Sequence, residues 1–161
     1  MINWKFFNVE DVEWITKFGK QIFEESEWGE GEYDEEKIKK YLHRIIDNPI
    51  YMFGIIGIKD DQKAGFMIGH LGEYRFMNKI YARENEICVL PKYRGSAVAM
   101  TMMKKFIEWA KAMKAKEIYF EPSTNGDINK FDAMAKRLGM EVASKTYRKK
   151  LRAYQDLDLR A

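Results

Sequence analysis

Three strand-like runs follow one another between Ile50 and Leu90 with no helical period among them, and helical periods stand on both sides. That order excludes an all-helical bundle. It also excludes a plain strand–helix alternation around a wholly parallel sheet, because strands joined by short turns pair antiparallel. Ile50 to Ile58 is rich in β-branched and aromatic residues, Asp60-Asp61-Gln62 is a turn, and Ala64 to Leu71 is the second arm of a hairpin. Gly72 to Asn78 leads to the third run, Ile80 to Leu90, which Pro91 stops.

The flanks complete the pattern. Ile2 to Phe7 reads as a short strand. Val12, Ile15, Phe18, Ile22 and Phe23 then recur at helical spacing, predicting a helix from about Asp11 to Glu25. Ser26 to Tyr33 is a Gly- and Glu-rich loop. Asp34 caps a second helix whose stripe is Ile38, Tyr41, Leu42, Ile45 and Ile46, and Asn48-Pro49 ends it. Beyond Pro91 a helix is predicted from about Gly95 to Lys114, with Ala99, Met102, Met103, Phe106, Ala110 and Met113 inward. Glu117 to Phe120 reads as a strand and Pro122 to Gly126 as a turn. Asp127 to Leu138 reads as a last helix stopped by Gly139, and Met140 to Tyr147 as a closing strand. The expectation is an α/β (α+β) domain over 1–161: a mixed, mostly antiparallel sheet with about four helices.

Composition narrows the function classes. A chain of 161 residues suits one domain, and 46% apolar with 14% aromatic residues supplies a core. No stretch approaches the roughly 20 apolar residues a bilayer crossing needs, so no membrane partner is expected. The one cysteine, Cys88, has no internal disulfide partner, which points to a reducing, cytoplasmic setting. Net charge is +3 with mixed signs, and the basic run Lys145 to Arg152 reads as a solvated strand end, so no nucleic acid partner is expected. His43 and His70 lie apart from each other and from Cys88, so no metal site is expected.

The chemistry concentrates at Glu84 to Ala99. A strand ends at a proline, a short loop carries Arg94 and Gly95, and a helix opens on small residues. A helix N-terminus offers unpaired N–H groups and a positive dipole end, and small side chains let an anion approach the backbone. Arg94 adds a permanent charge and a fork of donors. An ordinary strand-to-helix turn has the same spacing. The segment is neither a P-loop, lacking Gly-Lys-Ser/Thr, nor a dinucleotide fingerprint, having one glycine of three.

Val89-Leu90-Pro91-Lys92-Tyr93-Arg94-Gly95 resembles the acetyl-CoA motif of the GNAT N-acetyltransferases, a V-x-P-x-Y-R-G run entering the pyrophosphate loop. The element order resembles that fold over nearly the whole chain. Arg137-Leu138-Gly139-Met140 and Tyr147-Arg148-Lys149 resemble its later landmarks. Glu25-Ser26, Trp109-Ala110 and Ser123-Thr124 resemble a subgroup often encoded by tailed phages, which implies the host cytoplasm. The resemblance implies acetyl-CoA as co-substrate and a primary amine as acceptor, either a small molecule or a protein lysine or N-terminus. It also implies frequent homodimer formation. By the same resemblance, the backbones of Cys88, Val89 and Leu90 pair with the pantetheine arm. Arg94, Gly95, Ser96, Ala97, Val98 and Ala99 hold the pyrophosphate, and Asn125 or Asn129 touches the pantetheine or adenine. Two positions depart from the family pattern: Ala97 replaces a loop glycine, and Ala135 replaces the tyrosine often placed four residues before the landmark glycine.

Acetyl transfer to an amine needs a proton acceptor and an oxyanion donor. Glu84, Glu86 and Cys88 share one face of a regular strand, which makes either glutamate a candidate base, with Glu84 favoured. Solvent-facing strand charges are the plain alternative. A β-bulge, frequent at such sites, breaks that parity. Tyr147 is the candidate acid, and Cys88 reads as a small buried hydrophobe. The family fold places Glu25, Ser26, Glu27, Trp28, Glu30, Glu32 and Tyr33 at the acceptor's rim, which favours a cationic amine. A GNAT-shaped module that binds CoA without turnover is the competing function class.

Overall fold

The computed structural model describes residues 1–26, 29, 31–121 and 128–149. In chain order the elements are β1 (Ile2–Phe6), α1 (Val12–Glu25), α2 (Glu35–Asp47), β2 (Met52–Lys59), β3 (Gln62–Glu73), β4 (Ile80–Val89), α3 (Val98–Ala112), β5 (Ile118–Tyr119) and α4 (Ile128–Arg137). The strands lie side by side in sequence order, β1-β2-β3-β4-β5. The first three pairings are antiparallel and β4–β5 is parallel, giving the mixed, mostly antiparallel sheet expected. None of the helices among the described residues is long and apolar enough to cross a membrane.

Each face of the sheet carries one core layer. On one face α3 lays Val98, Met102, Phe106 and Ala110 against Phe53, Ile55, Met67 and Ala82. Phe106 is fully buried, with ring centroids at 5.1 Å from Phe53 and 5.5 Å from Trp109. On the other face α1 and α2 lay Val12, Ile15, Phe18, Leu42 and Ile45 against Ile56, Phe66 and Ile68. α2 starts where expected, with the Asp34 carboxylate accepting the Lys37 N–H at 3.0 Å.

A buried charge ties the N-terminal elements to the sheet. Asp11, with no exposed surface, is salt-bridged to Lys5 of β1 at 2.8 Å and Lys63 of β3 at 2.7 Å. Its other oxygen accepts the Asn8 N–H at 3.0 Å. Burial works to raise its pKa, but the two lysines and the Asn8 N–H outweigh that and hold it below the ordinary aspartate value.

Two sequence expectations change. The helix expected from Gly95 starts at Val98, because Gly95 has φ +80°, outside the right-handed helical region. The closing strand over Met140 to Tyr147 is absent: residues 140–149 pair with no strand among the described residues. The reason is burial. Residues 141–149 are exposed throughout, with Val142 at 77% and Tyr147 at 90%, so nothing apolar holds them to the sheet. The turn Pro122 to Gly126 and the cap Asp127 lie outside the described residues.

Candidate active site

The site starts from a fault in the strand pairing. Glu86 opposes Ile68 and Glu84 opposes Gly69, so two steps on β4 match one on β3, and Asn85 is the extra residue of a β-bulge. His70 tethers it, its Nδ1–H donating to Asn85 Oδ1 at 2.6 Å. Across the bulge the face parity inverts. Ala82 packs in the α3 layer, and so do Ile87 and Val89, while Cys88 packs against the α1–α2 layer. Glu84 has the parity of Ala82 and Glu86 that of Cys88. The two glutamates therefore face opposite sides of the sheet, which corrects the expectation of one shared face.

Their surroundings differ accordingly. Glu84 is 4% exposed, and its Oε2 accepts the backbone N–H of Glu121 at 3.2 Å, just past β5. Burial, reinforced by the charges of Glu86 and Glu121, pushes its pKa up to about 7 against the partly opposing Glu121 N–H. Glu86 is exposed, and partial desolvation by the groups around it raises its pKa as well. Its charge reaches two tyrosines of the α1–α2 side. Tyr33 is pushed up to about 12, by burial first and then Glu86, and Tyr41 is raised in the same order. In the sequence Tyr41 belongs to an apolar stripe, and no sequence pattern ties it to Glu86. The Cys88 thiol, raised to about 12 chiefly by burial and then by Glu86 and Glu84, stays protonated. A thiol so held is no nucleophile.

Beside these carboxylates the sheet opens. β4 and β5 pair only at Ala82–Ile118 and Arg83–Tyr119, after which no strand among the described residues covers the outer edge of β4. The inner edge is committed to β3. The Leu90 N–H bonds Ala64 O at 2.8 Å, and the Cys88 carbonyl points at Gly65, where a Cβ would lie 2.3 Å from it. By strand alternation, Val89 and Ile87 present their backbone groups to the open edge. Of Cys88, Val89 and Leu90, then, Val89 alone faces the opening, and Ile87 joins it.

The loop after β4 ends in an open helix terminus. Pro91–Tyr93 forms one 3-10 turn, and Gly95 takes the left-handed conformation with open space around it. Ala97, the N-cap of α3, has no side chain able to bond the first-turn N–H groups. Ser96 Oγ donates to Tyr93 O at 2.6 Å and accepts the Val98 N–H at a long 3.5 Å. The Val98 side chain is buried in the core, so Val98 and Ala99 offer backbone alone, that of Val98 already shared with Ser96. Arg94 Nε donates to Val89 O at 3.2 Å, and its guanidinium lies 3.6 Å from Glu25 of α1. This helix end, capped only by the long Ser96–Val98 contact and set beside an exposed arginine, fits a diphosphate. Gly95→Ala forces a side chain into the left-handed region and is expected to cost about 1 kcal/mol of stability, read by denaturant unfolding. No loss beyond experimental error would remove the conformational role given to Gly95.

The remaining candidates scatter. Asn129 is exposed on α4, and Asn125 lies outside the described residues. Tyr147 is solvent-exposed, and Ala135 is half-buried on α4. Of the acceptor rim, Glu25, Ser26, Glu32 and Tyr33 are described; Glu27, Trp28 and Glu30 are not. A depression of about 600 Å³ is lined by Glu32, Tyr33, Asp34, Glu35, Glu36 and Lys37. Among the described residues no group of three His, Cys, Asp or Glu side chains could hold a metal ion.

Comparison with known proteins agrees with this fold. AAC(6')-Iy, solved with the bisubstrate analogue CoA-S-monomethyl-acetylneamine, superposes with TM-score 0.72 at 17% identity, covering 94% of this chain and 99% of that one. A predicted acetyltransferase from Clostridium acetobutylicum with acetyl-CoA gives 0.71 at 16%, covering 93% and 96%. Glucosamine-6-phosphate N-acetyltransferase from Arabidopsis thaliana gives 0.70 at 10%, covering 93% and 98%. At these identities the likeness is one of fold. No curated protein matches the sequence. The model of the Acetyltransferase (GNAT) family matches residues 11–140, and the chain therefore belongs to that family of acyl-CoA-dependent acetyltransferases.

Proposed function

We propose that the protein transfers the acetyl group of acetyl-CoA to a primary amine by direct attack within a ternary complex. The observation that carries this reading is the outer edge of β4, open beyond its last pair with β5, running on to Val89 and the Arg94 loop that leads into the N-terminus of α3. The pyrophosphate is held by the N–H groups of the Gly95–Ala99 segment and by Arg94, released from Glu25. The pantetheine arm lies along Val89 and Ile87. The amine nitrogen attacks the thioester carbonyl, the N–C bond forms and the C–S bond breaks. The amine proton goes to Glu86, and CoA leaves as a thiolate that takes a proton from water. Glu86 supports this assignment better than Glu84, because it keeps solvent contact, carries no hydrogen bond or ion pair among the described residues, and has a raised pKa. Glu25, Glu32 and Glu86 favour a cationic acceptor.

Calorimetric titration with acetyl-CoA and free CoA tests the reading, followed by thiol-release assays over candidate amines. Micromolar binding is expected, weakened at least tenfold in Arg94→Glu, since a charged hydrogen bond contributes about 1.5–3 kcal/mol. Absence of binding to either ligand overturns the proposal.

A further inference from the structure

The mechanism leaves the buried carboxyl group of Glu84 unused. Glu84 sits at the fork where β4 and β5 separate: Ala82–Ile118 and Arg83–Tyr119 are paired, and the next β4 residue is Glu84 itself. Where a longer ladder would continue, the Glu84 side chain takes over and accepts the Glu121 N–H at 3.2 Å. Arg83 reinforces the same point. Its guanidinium is ion-paired with the Glu121 carboxylate and lies over the rings of Tyr81, at 5.7 Å, and Tyr119, at 5.1 Å. The bulge at Asn85 fixes which way Glu84 faces. It shares Ala82's parity, toward the α3 layer, so its carboxylate is turned away from the α1–α2 side, where the charge of Glu86 is felt by Tyr33 and Tyr41.

We propose that Glu84 is a positioning residue: by holding the Glu121 N–H it sets how wide β4 and β5 open, and so how the slot beside Val89 receives the pantetheine arm. A side-chain acceptor spans the gap without closing it. Another backbone pair would zip the two strands together and remove the slot. The inference rests on the acyl-CoA reading above for the slot's occupant, while the link between Glu84 and Glu121 stands on the geometry alone.

Two substitutions separate positioning from proton transfer. Glu84→Gln keeps an oxygen that accepts the Glu121 N–H, and Glu84→Leu keeps the bulk and removes it. Hydrogen exchange at the Glu121 amide is read first, because it needs neither substrate nor turnover. Protection is expected to survive in Glu84→Gln and to fall at least tenfold in Glu84→Leu. The KM for acetyl-CoA is then expected to rise at least fivefold in Glu84→Leu and to be restored to within twofold in Glu84→Gln, with kcat little changed between the two variants. An unchanged Glu121 amide in Glu84→Leu overturns the proposal. So does a hundredfold loss of kcat in Glu84→Gln at unaltered KM, which would make Glu84 the base. If the wild-type protein binds no CoA, the acyl-CoA reading fails, and the amide measurement still decides the link to Glu121.

Discussion

Glu86→Gln is expected to lower kcat by about a hundredfold or more while leaving acetyl-CoA affinity unchanged, the range a positioned general base contributes. The side chain keeps its shape, and no hydrogen bond or ion pair of the described structure is lost, so a folding defect should not confuse the result. The pH dependence gives a second reading. Desolvation raises the Glu86 pKa, and the base works only when ionised, so the wild-type rate climbs with pH through a pKa above the ordinary glutamate value. An acceptor amine that titrates well below that range isolates the step. The variant should lose the climb. Full turnover in Glu86→Gln would withdraw the base assignment, and a rise in KM for the amine at constant kcat would recast Glu86 as an acceptor-binding carboxylate.

Asp11→Ala is expected to cost about 3 kcal/mol of stability, or roughly 6–12 °C in melting temperature for a domain of this size. Removing a buried partner leaves two lysines uncompensated, and Lys5 and Lys63 keep enough exposure, 36% and 31%, to hold the loss at the lower end of that range. The direction with pH follows from the depressed pKa. The contribution is fully present above the unfolded aspartate pKa and is lost as pH falls through the lower folded one. Wild-type and variant melting temperatures should therefore lie far apart at neutral pH and converge in strong acid. A difference under 1 kcal/mol at pH 7 would show that the triad is no structural anchor.

Local chemistry made most of the architecture legible. The hairpin was written in the β-branched run at Ile50 to Ile58 and its Asp-rich turn, and α2 in the Asp34 cap and the Ile38–Ile46 stripe, because each signal is local and strong. The Arg94-Gly95 loop was legible as an anion cradle for the same reason. The facing of the glutamates was not. Parity along Glu84, Glu86 and Cys88 assumes a regular strand, and whether a strand is regular depends on its neighbour's register, which sequence spacing does not carry. The link between Glu84 and Glu121 joins residues 37 apart and was hidden likewise. The closing strand failed for the opposite reason: alternation was present over Met140 to Tyr147, but burial was not.

The extra residue at Asn85 works as a half-turn in the strand's phase. Upstream of it, even-numbered positions look toward α3; downstream, odd-numbered ones do. Deleting that one residue would leave a regular strand with Glu84 still opposite Gly69 and Glu86 still opposite Ile68. Keeping it and pairing the strand without a bulge would instead carry Ile87 and Val89 to the α1–α2 layer and swing Cys88 under α3. The facing of everything downstream of the bulge therefore hangs on Asn85 staying outside the ladder, where His70 holds it.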